Sequence, residues 1–62
     1  MNNEYVEIDC TVAHETEGAI KIMTGRTTCW IPKSQLRDQV EQVPSETVIE
    51  VPEWLAIEKG LV

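Results

Sequence analysis

The sequence predicts a mainly β fold with one short C-terminal α-helix, built as a small bent antiparallel sheet or a partly open SH3-like or OB-like barrel. Three observations carry this expectation. Apolar and polar residues alternate with period two from Tyr5 to Ala13 and again from Thr47 to Val51. Isolated glycines, Gly18 and Gly25, punctuate the chain where a meander needs its turns. The last apolar segment is bracketed by Pro52 and Gly60, the start and stop signals of a helix.

The first strand is expected from Tyr5 to Ala13, with Val6, Ile8, Cys10 and Val12 on one side and Glu7, Asp9 and Thr11 on the other. Residues 1–3 precede it and are expected to fray. The polar stretch His14 to Gly18 reads as a turn into a second strand, Ala19 to Met23, with Ile20 and Ile22 facing one way. Thr24-Gly25 suits a tight two-residue hairpin with the glycine at positive φ. A third strand then runs from about Arg26 to Ile31, Cys29 and Ile31 on one face, Thr28 and Trp30 on the other. These three strands form an antiparallel meander.

Trp30 to Leu36 reads as a corner. Pro32 removes a ladder donor and should end the strand, and Ser34 is placed to cap one turn of 3₁₀ helix reaching Arg37, with Leu36 pointing inward. Asp38 to Glu46 is polar apart from Val40 and Val43, which makes it the longest loop. Thr47 to Val51 forms the fourth strand, Thr47, Ile49 and Val51 on one face. Pro52 and Glu53 open the helix. Trp54, Leu55 and Ile57 supply its apolar stripe, and Gly60 takes the left-handed cap with Leu61 folding back on Leu55 or Ala56.

Sixty-two residues make one domain, residues 1–62, and a chain this short buries only about 60% of its unfolded surface. Marginal stability makes a homo-oligomer a natural expectation. Hydrophobic residues at 42% and charged residues at 26% describe a folded globule and not a disordered tail. No run of about 18 apolar residues and no signal-peptide pattern occurs, so the expected location is cytoplasmic, without membrane association. Cys10 and Cys29 belong to no CxxC pair and are expected as free, core-facing thiols.

The chemistry-bearing residues form no catalytic or metal-ligating constellation, and neither enzyme activity nor a cofactor is expected. His14 lies beside Glu15 and Glu17 without a nucleophile motif, and the glycines form no phosphate loop. Eleven acidic against five basic side chains give a net charge of −6, which repels phosphate and suits a basic protein partner. Glu7, Asp9, Glu15 and Glu17 are the candidate protein-binding acids. Trp30 and Trp54 are expected in the small core, the alternative being a stacking platform or an anchor for a partner. Should Trp30 be exposed, Lys33 and Arg37, with Lys21 and Arg26 on the hairpin, would complete a surface for single-stranded nucleic acid.

The chain resembles a group of very small, uncharacterised proteins of bacteriophages and other mobile elements. The resemblance rests on Glu15-Thr16 with Ala19-Ile20, the W-I-P-K-S-Q corner from Trp30 to Gln35, and the P-E-W-L-A segment from Pro52 to Ala56 with Lys59-Gly60. It implies a phage-like origin and a compact β fold, so that the expected cytoplasm is the host cell's, and it transfers no functional residue. The expected activity is a protein-binding module, an adaptor or inhibitor that engages a host or phage protein. The alternative is an accessory single-stranded nucleic-acid binder in phage replication or recombination.

Overall fold

The computed structural model describes residues 4–62. The elements are β1 (Tyr5–Glu15), β2 (Ala19–Met23), β3 (Thr28–Pro32), a 3₁₀ turn (Lys33–Gln35), β4 (Ser45–Pro52) and α1 (Glu53–Glu58). The four strands form one open sheet in the order β3-β2-β1-β4, every neighbouring pair antiparallel. The expected mainly β fold and its meander are what the chain adopts, as an unclosed sheet.

β1 is the strand that the others share. Its residues 5–12 pair with β4, and its residues 11–15 pair with β2. A register shift between Val12 and His14 marks the change of partner. An extra residue at such a bulge breaks the period of two and bends the strand. For that reason the alternation stops at Ala13 although the strand continues through His14 and Glu15, which the sequence assigns to the turn. After the bulge His14 lies opposite Lys21 and Glu15 opposite Ile20.

The hairpin between β2 and β3 departs from the two-residue expectation. Gly25 does not have positive φ, since Gly60 alone among the described glycines does. Thr24 builds the turn instead: its N–H donates to the Thr27 carbonyl at 2.8 Å. Its Oγ1 accepts from the N–H groups of Arg26 and Thr27, each at 3.1 Å. A threonine side chain thus ties a four-residue turn without a left-handed residue, and β3 starts at Thr28 instead of Arg26.

Pro32 is kept as the last residue of β3, where a missing N–H on the outermost strand costs no ladder bond. The following turn has no side-chain cap, and Ser34 lies inside it. Lys33 N–H donates to the Gly18 carbonyl at 2.9 Å, so the corner is fixed to the first turn. Residues 36–44 then cross the inner face of the sheet: Leu36, Val40 and Val43 pack on the core. Arg37 N–H reaches the Glu50 carbonyl at 3.1 Å, on β4. β4 begins at Ser45, two residues before the expected start, because Ser45 and Glu46 still find partners in Val12 and Thr11.

The core is aliphatic. Ile20, Ile22, Ile31, Val12 and Val51 are fully shielded, each contributing about 1.5–3 kcal/mol relative to exposure. Neither tryptophan joins them: Trp30 is 43% exposed and Trp54 53%. Trp30 falls on the outer face by strand parity. The helix of six residues turns only Leu55 and Ala56 inward, leaving Trp54 and Ile57 outside. Leu61 folds back onto the core as expected, while Ile57 stays exposed. Gly60, at φ 73°, donates to the Ile57 carbonyl, and Leu61 N–H donates to that of Ala56 at 2.8 Å. This is the six-to-one bond of a Schellman cap, and it buries Leu61. The expectation for residues 1–3 lies outside the described residues.

Candidate protein-binding face

One face of the sheet carries the 36–44 crossing, the helix and Leu61; the other carries no layer among the described residues. The outward positions follow from the registers. Across β1 and β4 they are Tyr5, whose partner Pro52 is itself buried, Glu7 opposite Glu50, Asp9 opposite Val48 and Thr11 opposite Glu46. Met23 continues the Thr11 row and is itself opposite Thr28, while Lys21 lies between His14 and Trp30. Four large apolar side chains on this face, Tyr5, Met23, Trp30 and Val48, are 43–52% exposed.

Acids concentrate on the β1–β4 half. Glu7 and Glu50 are directly opposite, a like-charge pair that opposes strand pairing unless a cation intervenes. Arg37 pairs with Glu50 and leaves Glu7 uncompensated. Its Nε is 3.6 Å from Glu50 Oε2, and its guanidinium carbon is 5.7 Å from the centroid of the Tyr5 ring. The backbone bond from Arg37 to β4 positions this side chain, so the inner crossing also organises the outer face. Glu7, Asp9 and Glu46 have no ion-pair partner among the described residues. Asp9 and Glu46 border a shallow cleft of about 370 Å³, shared with Thr11, Met23, Thr24 and Gly25.

The four acids named from the sequence are therefore divided. Glu7 and Asp9 share the open face. Glu15, beyond the bulge, is bound to Lys33, with Nζ 2.6 Å from Oε2. Glu17 is exposed in the first turn. The surface sketched for nucleic acid is likewise spread out: Lys33 is paired with Glu15, Arg37 with Glu50, and Trp30 has Lys21 as its cross-strand neighbour. Glu46, Val48 and Glu50 were not among the named site residues. The alternation of β4 shows that Val48 and Glu50 point away from Ile49, but their position beside Glu7 and Asp9 depends on long-range register.

A smaller apolar group lies at the C-terminal end, where Trp54 and Ile57 of the helix and Val62 beyond it are exposed. The cysteines are both free. Burial, then the charge of Asp9 and Cys29, pushes the Cys10 thiol up. Burial also raises Cys29, against a smaller opposing pull from Lys59. Both shifts favour the neutral thiol. No helix among the described residues is long and apolar enough to cross a membrane. No family model, curated protein or solved structure matches the chain.

Proposed function

We propose that this protein is a non-enzymatic binding module of phage type, an adaptor or inhibitor that receives a basic protein partner on the open face of its sheet. The observation that carries the reading is the composition of that face. Half-exposed Val48 stands opposite Asp9, half-exposed Met23 shares a row with Thr11 and Glu46, and half-exposed Tyr5 and Trp30 lie on the same face as these carboxylates and Glu7. Apolar anchors of this size supply affinity when a partner dehydrates them, and carboxylates beside them steer a cationic surface and fix its orientation. A net charge of −6 extends the steering field beyond the contact.

The double variant Asp9→Lys/Glu46→Lys tests the reading. Immobilised protein is expected to capture from bacterial lysate, at low salt, a partner that the variant binds at least about tenfold more weakly and that physiological salt partly releases. Identical capture by both forms overturns the assignment. The nucleic-acid alternative has less support, because Lys33 and Arg37 are each engaged by a carboxylate and are not gathered beside Trp30.

A further inference from the structure

The outer edge of β3 has properties that the opposite edge of the sheet lacks. β3 is the last strand in the order, and no strand among the described residues pairs with its outer side. Its five residues, Thr28-Cys29-Trp30-Ile31-Pro32, include no charge. The register with β2 runs without a bulge from Met23↔Thr28 to Ala19↔Pro32. Proteins ordinarily protect an edge with charged side chains, prolines, bulges or a covering loop. β4 has several of these: Glu46 and Glu50, Pro52 at its end, and the Arg37 N–H bound to the Glu50 carbonyl. β3 has only Pro32.

The hydrogen-bond parity of β3 fixes what this edge offers. In an antiparallel pair, residues alternate between those bonded to the neighbour and those whose N–H and C=O point away. Lys33 N–H donates to Gly18, and the Thr27 carbonyl accepts from Thr24, so the odd-numbered residues face β2. Thr28, Trp30 and Pro32 accordingly direct their backbone groups outward. The edge presents two donors, on Thr28 and Trp30, and three carbonyls. Proline, which has no N–H to offer, is at the periphery.

We infer that β3 pairs antiparallel with β3 of a second copy about a two-fold axis through Trp30, making a continuous eight-stranded sheet. The strand is self-complementary about that residue. Trp30 meets Trp30 of the second copy and exchanges two backbone hydrogen bonds with it. Each Thr28 N–H meets a Pro32 carbonyl, and Cys29 meets Ile31. The missing proline donor costs one bond on each side and none at the centre. Two half-exposed indoles become cross-strand neighbours on the open face, a favourable aromatic pair.

Charge selects a second copy as the occupant. Arg26, exposed in the turn before β3, has no ion-pair partner among the described residues. Antiparallel pairing about Trp30 carries it to the other end of β3 in the second copy, where Glu15 already offsets Lys33 and Glu17, in the turn bonded to Lys33, supplies the negative charge. The two-fold repeats the complement. The acids of β1 and β4 stay two strands away, so two molecules of charge −6 meet where they repel least. The pairing rests on the backbone edge of β3 and the partner reading on Tyr5, Met23 and Val48 with the acids of β1 and β4; Trp30 alone belongs to both surfaces.

Sedimentation of the full chain from micromolar to millimolar concentration, together with amide hydrogen exchange, tests the pairing. A monomer–dimer equilibrium is expected, with the Thr28 and Trp30 amides gaining protection as concentration rises while those of Cys29 and Ile31 are protected throughout. Thr28→Pro deletes an outward donor without touching the β2–β3 ladder and is expected to raise the dimer dissociation constant about 10- to 30-fold, two bonds being lost per dimer. A chain that stays monomeric, a dimer in which the Thr28 and Trp30 amides still exchange freely, or an open-ended series of larger species overturns the inference. The exchange measurement on the unmodified chain decides the matter even if the proline variant fails to fold.

Discussion

Gly60 shows how much one residue contributes to so small a fold. Its φ of 73° lies in the left-handed region, and that conformation lets Leu61 turn back and donate to the Ala56 carbonyl while its side chain seals the core. A Cβ built on Gly60 meets nothing within 4 Å, so a substitution there is opposed by backbone strain and not by collision. Gly60→Ala is therefore expected to cost about 1 kcal/mol. In a domain of this length that lowers the melting temperature by roughly 4–8 °C, and thermal unfolding followed by circular dichroism measures it. The cap was legible in the sequence because its signals are local: a proline and an acid at the start, a glycine at the end, and a leucine just beyond.

At the scale of elements, strand faces could be read from the chain and tryptophan placement could not. Ile8, Cys10, Ile20, Ile22, Ile49 and Val51 all point inward as their alternation requires. Trp30 obeys the same parity and so lies outside, although its size argues for the core. Trp54 is outside because a helix of six residues has too narrow an inward face for Leu55, Ala56 and an indole together. Stability should follow burial and not side-chain volume. Ile22→Ala is expected to cost roughly 2–5 kcal/mol, enough to unfold a marginal domain. Trp54→Ala, which removes the larger side chain, is expected to cost less than half as much; urea titration of the two variants compares them. The bulge after Val12 and the pairing of β4 with β1 were hidden for a related reason. Register between distant strands is set by the assembled sheet and leaves no mark on either strand alone. Glu7 and Asp9 could thus be named as candidates, whereas their neighbours Glu46, Val48 and Glu50 became visible only in the fold.

Taken whole, the molecule is a two-sided plate. The crossing of residues 36–44, the helix and Leu61 close one side, and the other side presents aromatic, aliphatic and acidic groups together. Arg37 connects the two by bonding its backbone to β4 and laying its side chain between Glu50 and Tyr5. Such a division lets the inward residues hold the shape while the outward residues stay exposed. The most direct test maps where a cationic ligand lands. Backbone amide shifts would be followed by NMR while a short lysine-rich peptide containing one leucine is titrated at low salt. Saturable shifts centred on Glu7, Asp9, Met23, Glu46 and Val48 are the expected result. Shifts spread evenly over the surface, or gathered instead at Trp54, Ile57 and Val62, would contradict the assignment of the open face as the binding surface.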